Sequence, residues 1–453
     1  MKQCRLFLIA MAMAVVSCQS NFIEVPVVDR PAESDVTSVY AISEEEALNK
    51  LEEFMTAIEG DETRSSRRIV EKVHKVSSDN ILGQTRSSEC DDIDNLLYIV
   101  EFEDGEGSAI LGADRRLAPV YAVLDETTLT VEDFSNAVTG NNTDDISTYT
   151  AGLIADNVRV ATLDFGDPAP LLPPLDSLRT DGTYRTTTTT VLSKVYPLLD
   201  TKWGQYSPYN DRFPLTDNGL TREPAGCGTI AVAQVLNYLT FPNNLVLNGH
   251  THDWSIITQF DWDNNIDNAY YKNCLAQFIY DLALEMNVHY EDKNDGGIDL
   301  GTSVAVADSE ALFKQLGYTN VNFESLTVEK ARNMIFNNKP FYAYGVDVRQ
   351  VVVPRNVAHV WVIDGWIETY SVVREIVEDQ GLIISNTICD TYYTHYAHCN
   401  FGWSGKCDGY YLFTNFNTRN RLSSDMVESE YGDVIGTDRW TFNQDLNMIK
   451  YSY

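Results

Sequence analysis

The 453-residue chain predicts an α+β architecture in two parts, a small α+β unit followed by a larger domain of interleaved strands and helices. Three observations carry that expectation. An amphipathic helix and closely spaced hairpin strands occupy residues 41–150, a proline- and threonine-rich stretch covers 151–195, and the texture turns aromatic from Tyr196 onward. The length exceeds one ordinary core. With 44% hydrophobic and 22% charged residues, the composition is that of a globular protein.

At the N-terminus, Lys2 and Arg5 precede an apolar run from Leu6 to Val16 and the lipobox-like Val15-Val16-Ser17-Cys18. This reads as a lipoprotein signal peptide over residues 1–17, with Cys18 the lipidated first residue after cleavage. An ordinary signal peptide cut nearby is the alternative. Either way the mature chain is exported, and no later segment has the apolar length to span a bilayer. Membrane contact is therefore expected only through lipid on Cys18. Residues 18–40, with Pro26 and Pro31 and no periodicity, read as a tether. The formal charge of -33 argues against a nucleic-acid partner, because an acidic surface repels phosphate.

The first domain opens on Ser43-Glu44-Glu45-Glu46, a capping box ahead of Ala47, Leu48, Leu51, Phe54, Met55 and Ile58 at helical spacing. Strands follow at Leu96–Glu103, Ser108–Gly112 and Val120–Leu124, the first two joined by an Asp104-Gly105 turn. Residues 151–195 hold Pro168, Pro170, Pro173, Pro174 and the run Thr186–Thr190, and read as a linker open to proteolysis. Beyond it, Thr229–Leu239 is apolar nearly all round and predicts a buried helix with Cys227 at its start.

Eight cysteines are present: Cys4, Cys18, Cys90, Cys227, Cys274, Cys389, Cys399 and Cys407. An exported protein usually pairs them, and five in the C-terminal half leave one odd thiol as a candidate nucleophile. Cys227 is the best placed, since a helix N-terminus favours thiolate over thiol. Gly226 and Gly228 flank it and are expected to let a substrate backbone approach. His359 shares a strand face with Trp361 and Ile363 and is the candidate general base. Asn400 can accept the imidazole N–H and orient the ring. Gln205 can join the Cys227 backbone N–H as an oxyanion hole. Each residue alone also has an ordinary reading: a packed cysteine, a core histidine, a turn asparagine, a surface glutamine.

Four blocks in order resemble the streptopain-type cysteine peptidases, which are papain-like in fold. They are Gln205-Tyr206-Ser207-Pro208-Tyr209-Asn210, Ala225-Gly226-Cys227 with its helix, Ala358-His359-Val360-Trp361-Val362-Ile363-Asp364-Gly365, and Asn400-Phe401-Gly402-Trp403 followed by Asp408-Gly409-Tyr410-Tyr411. The interval between Cys227 and His359 also falls in the papain-like range. Leu97–Phe102 and Ala109–Arg116 resemble that family's propeptide. The resemblance implies a peptidase domain over 196–453 and an inhibitory propeptide over 41–150, removed by cleavage within 151–195, with Arg179, Arg185 and Lys194 as candidate cut sites. It further implies protein or peptide substrates, a thiol nucleophile and no cofactor. Departures are Gly228-Thr229-Ile230 after the cysteine, Phe401 where tryptophan is usual, an inserted hairpin over Ile367–Ile388, and no counterpart of the family's glycine-rich loop in Ser423–Thr441.

His395, His398, Cys389, Cys399 and Cys407 match no zinc spacing, and a Cys399–Cys407 disulfide across the Gly402–Gly405 turn is the more economical expectation. His250 and His252 read as a solvated loop. Beside the peptidase reading stand a catalytically silent, lipid-anchored binding or inhibitory protein on the same fold and, further off, another Cys-His acyltransferase.

Overall fold

A computed structural model describes residues 40–59, 68–83, 94–141, 145–163, 183–216, 219–259, 268–290, 301–349, 355–379, 382–416 and 444–453. The signal peptide, Cys18, the tether, Cys90, Arg179 and Ser423–Thr441 lie outside them. Helix α1 (Glu44–Glu59) begins where expected, with Ser43 Oγ accepting from Glu46 N at 3.2 Å. Its buried face is Ala47, Leu51, Phe54 and Ile58.

Strand β1 (Val70–Ser77), helix α2 (Ser78–Leu82), β2 (Asn95–Phe102), β3 (Ser108–Gly112) and β4 (Val120–Leu124) follow. The antiparallel meander β1-β2-β3-β4 confirms the three expected strands and adds β1. That strand escaped the sequence reading because Val-Glu-Lys-Val-His-Lys-Val-Ser is largely exposed and charged, leaving little apolar alternation to detect. Thr130 and Asp133 form a reciprocal capping box at the start of α3 (Val131–Thr139). Helix α4 (Ile146–Leu163) is next.

The stretch read as a linker is therefore structured at both ends. It starts inside α4, whose Ala151, Leu153, Ile154, Ala155 and Val158 are buried. It finishes on β5 (Thr183–Val195), paired along its length with a later strand. The threonine run has the β-branching of a strand, and that property outweighed its polar, linker-like composition.

Helix α5 (Cys227–Leu239) carries ten buried residues among its thirteen. Short ribbons β6 (Leu245–Leu247) with β7 (His250–His252), and β8 (His289–Tyr290) with β9 (Thr302–Ser303), lie around helices α6 (Trp254–Ile257), α7 (Ala269–Glu285) and α8 (Val306–Gln315). His250 and His252 are thus strand residues, each within about 3 Å of buried Asp281, at 2.9 and 3.0 Å. His252 is buried rather than solvated.

Strand β10 (Thr319–Ser325), helix α9 (Val328–Phe336), β11 (Phe341–Arg349), β12 (Arg355–Asp379), β13 (Leu382–Asn400), β14 (Gly409–Leu412) and β15 (Gln444–Ser452) complete the chain. The expected inserted hairpin is the outer half of β12 and β13. Strand β12 pairs with β11 through Arg355–Ile363 and with β5 through Trp366–Val377, so the two share one of its edges. On the other edge it pairs with β13.

One eleven-stranded sheet spans both parts, in the order β1-β2-β3-β4-β14-β13-β12-β11-β15-β10, with β5 beside β12. Its joint is the antiparallel pair β4–β14, which sets Leu124 opposite Gly409 and Ala122 opposite Tyr411. Gly409 has φ 152°, and a Cβ there would lie 2.3 Å from the Val123 carbonyl oxygen. Only glycine lets the two backbones come so close.

The five described cysteines are free thiols, so the expected Cys399–Cys407 disulfide is not formed. Cys399 Sγ faces the Ala397 carbonyl, whereas Cys407, at φ 61°, turns its sulfur towards the Ile146 carbonyl at the start of α4. The turn between them presents the two side chains to different neighbours.

Candidate active site

Cys227 opens α5 after Gly226, whose φ of 85° lies in the left-handed region. A Cβ on Gly226 would fall 2.9 Å from the Thr302 carbonyl oxygen, and one on Gly228 would fall 2.5 Å from Val304 Cγ2. The space beside both glycines is filled by the chain itself. Their role is close packing of α5 onto β9 and the Val304 beyond it, which corrects the expectation of room for a substrate backbone.

The thiol lies in the junction of α5 with β12. Burial pushes it up from the ordinary cysteine range, while the backbone N–H groups of Val360, Gly228 and Cys227 itself act in the opposite direction. Val360 is the neighbour of His359, so the histidine strand passes directly beside the sulfur. The helix N-terminus alone therefore does not produce a thiolate here, because desolvation outweighs it.

His359 lies on β12 opposite Gly345 of β11, at 8% exposure. Its ring is stacked among Trp403 at 4.6 Å, Phe401 at 6.0 Å and Trp361 at 6.4 Å between centroids. Burial lowers its pKa to about 3, against a hydrogen bond to the Phe401 main chain that favours the charged ring. Nε2 is buried with no hydrogen-bond partner among the described residues. A neutral imidazole with one unengaged nitrogen is a base lacking its proton donor.

Asn400, at the end of β13, does not supply the expected bond to the imidazole. Its Oδ1 accepts from Gln234 Nε2 at 2.9 Å and from Gly402 N at 3.1 Å, and its Nδ2 donates to the Thr201 carbonyl at 2.7 Å. Both lone pairs of the amide oxygen are engaged. The Phe401 carbonyl holds the ring instead, and Asn400 anchors the turn that presents Phe401 and Trp403.

Gln205 lies beside the segment leading into α5, with its carbonyl accepting from Ala225 N at 2.8 Å. The segment carrying it is held against the Asn400 turn by Ser404 N donating to the Trp203 carbonyl at 3.2 Å. A Cβ on Gly204 would come within 2.0 Å of Ser404 Oγ, so only glycine admits that contact. All four expected site residues thus lie on segments that meet around the start of α5.

The N-terminal unit covers this site. Tyr149 of α4 packs edge-on against His359 at 6.1 Å and against Trp403 at 5.9 Å. Cys407 N donates to Thr127 Oγ1 at 2.8 Å, Asn157 Nδ2 donates to Thr414 Oγ1 at 3.2 Å, and Lys202 pairs with Glu126. Deeper in, His398 Nδ1 lies 2.6 Å from Asp364 Oδ1 and Nε2 lies 3.1 Å from Asp125 Oδ2. Burial opposes charge on this ring, but Asp364 and Asp125 outweigh it and raise His398 to about 10. His398 is thus an imidazolium clamped between one aspartate from each part of the molecule.

Sequence reasoning missed Tyr149 and Gln234, and weighed His398 only as a zinc ligand. For Gln234 a signal existed, a single amide inside a helix apolar all round, and such a group needs buried partners. Nothing marked Tyr149, because its role depends on where α4 docks. Among the described residues no group of three or more His, Cys, Asp or Glu side chains could hold a metal ion.

Residues 203–411 match the Peptidase C10 family, and this segment contains Gln205, Cys227, His359 and Asn400. By this match the segment is that of a cysteine-type peptidase. No curated protein matches it. Similar solved structures include a prointerpain A fragment from Prevotella intermedia, 17% identical, with 85% of this chain and 98% of that one covered and a TM-score of 0.48. Another is the active interpain A cysteine protease of the same organism, 22% identical over 49% of this chain and 87% of that one, with a TM-score of 0.35. The family match ends at Tyr411, so it includes most of the strand that β4 of the N-terminal unit pairs with.

Proposed function

We propose that the chain is the zymogen of an exported cysteine endopeptidase, with the N-terminal unit as its inhibitory prodomain. The observation that supports this reading best is the packing of Tyr149 of α4 on the His359 ring, whose strand passes beside the Cys227 thiol. While the prodomain is docked, desolvation favours the neutral thiol and the neutral ring.

Removal of α4 rehydrates the pair. The His359 imidazole then takes the Cys227 proton, and the thiolate attacks the peptide carbonyl. The Cys227 N–H and the Gln205 amide receive the developing oxyanion, the amine leaves with the histidine's proton, and water hydrolyses the thioester. The N-terminal signal directs export, with lipid on Cys18 tethering the zymogen to the cell envelope.

Incubating purified full chain with a denatured protein tests the reading. Wild type is expected to be processed and then to hydrolyse the substrate, and Cys227→Ala to do neither. Full hydrolysis by Cys227→Ala would exclude this mechanism, and folded, processed wild type that cleaves nothing would point to the silent binding protein.

A further inference from the structure

We propose that Gln234 is a positioning residue of the peptidase reaction, one that fixes the oxyanion segment and the histidine turn onto the nucleophile's helix through a single amide. The inference rests on the peptidase reading above and concerns how that site is held in register.

Gln234 lies on the same helix as Cys227, two turns further along, and is fully buried. Its Oε1 accepts from Thr201 Oγ1 at 2.8 Å and from Trp203 N at 3.3 Å, and its Nε2 donates to Asn400 Oδ1 at 2.9 Å. A backbone N–H can only donate, so Trp203 sets which way the amide faces and leaves Nε2 for Asn400. Asn400 Nδ2 returns to the Thr201 carbonyl at 2.7 Å, which closes a circuit.

Each arm of the circuit ends close to a reacting group. Trp203 is two residues before Gln205, the candidate oxyanion donor. Asn400 begins the turn whose Trp403 ring lies 4.6 Å from the His359 ring and whose Phe401 main chain bonds the imidazole. What only an amide supplies is an acceptor for one segment and a donor for another within the same plane, at a site without water access.

The test uses full-length wild type, Gln234→Glu and Gln234→Met, processed in parallel. It measures kcat and KM on an unstructured peptide, the pH dependence of Cys227 alkylation by iodoacetamide, and thermal melting. In Gln234→Glu, above a carboxyl pKa that burial raises, the carboxylate keeps the acceptor role towards Thr201 and Trp203 but cannot donate to Asn400. The expected result for Gln234→Glu is kcat lower by about 100-fold with KM changed by less than about threefold. Both kcat and the alkylation rate are expected to recover as pH falls and the carboxyl becomes a donor, a limb the wild type lacks. Gln234→Met, with neither role, is expected to show the loss without recovery.

Wild-type kcat and pH profiles in Gln234→Glu, whatever its melting temperature, would overturn the proposal and leave Gln234 a packing residue. Should Gln234→Glu not fold, Thr201→Val, which removes one bond to the same oxygen, must still lower kcat at unchanged KM, and a wild-type kcat there overturns it too. If wild type itself hydrolyses nothing while Gln234→Glu still alters the alkylation profile, the peptidase reading fails and the positioning role stands.

Discussion

The Tyr149 ring meets the His359 imidazole edge-on, with centroids 6.1 Å apart, and so joins a helix of the N-terminal unit to the candidate base of the peptidase. An aromatic edge contact is worth about 1 kcal/mol beyond its buried area. Tyr149→Ala is therefore expected to leave the chain folded but to open the site. Alkylation of Cys227 in the unprocessed variant should run several-fold faster than in unprocessed wild type, and equal rates would mean that Tyr149 does not cap the site.

His398 gives the docked state a defined pH window. A histidine raised from 6.5 to about 10 in the folded chain contributes stability that is fully present below 6.5 and is lost as pH rises through about 10. For Asp125, burial alone would raise its pKa, but His398 and Arg68 hold it below the usual carboxylate range. That contribution is present above the ordinary carboxylate pKa and lost as pH falls through the depressed one. Docking should thus be strongest between these limits and weaken in strong alkali and strong acid.

Removing one partner leaves the other charge buried. Asp125→Ala is expected to destabilise the full chain by about 3 kcal/mol, read from urea unfolding at neutral pH, and to speed separation of the N-terminal unit after nicking. Unchanged stability would show that His398 needs no carboxylate from the N-terminal unit.

Arg185 and Lys194, expected as cut sites, lie within β5, opposite Glu375 and Ile367 of β12. A peptidase needs an extended, unpaired backbone, so both bonds are protected while the sheet is intact. N-terminal sequencing of the matured protein is expected to find a first residue before Thr183, with β5 retained. A new N-terminus inside β5 would mean that this strand peels away during maturation.

Gly226 combines φ 85° with a Cβ position 2.9 Å from the Thr302 carbonyl. Gly226→Ala is expected to cost about 1–3 kcal/mol and to displace the start of α5, so melting temperature and activity should fall together. A fully stable, active variant would contradict the packing role assigned to this glycine.

The chemistry of the site was more legible in the sequence than its wiring. Cys227 could be placed at a helix start because an apolar-all-round segment follows a glycine, and His359 on a strand face because residues alternate around it. The α1 cap and strands β2 to β4 were readable for the same reason, since local pattern and tertiary role agree there. Asn400 was read as the partner of the imidazole, yet Gln234 and Gly402 occupy its oxygen. A residue 166 positions away in sequence decides that outcome, and local spacing carries no trace of it. The threonine run of β5 was read by polarity, whereas its pairing with β12 is long-range. The Cys399–Cys407 pairing was read by economy, whereas the turn aims the two sulfurs at different neighbours.

The central claim is that the N-terminal unit, by capping His359 with Tyr149, holds Cys227 and His359 in their neutral forms. The most direct test is the rate of Cys227 alkylation by iodoacetamide at about pH 6, compared in intact and processed wild-type chain. The account predicts that the processed protein reacts at least about tenfold faster, as its thiolate forms beside a rehydrated His359. Equal rates in the two forms would contradict it.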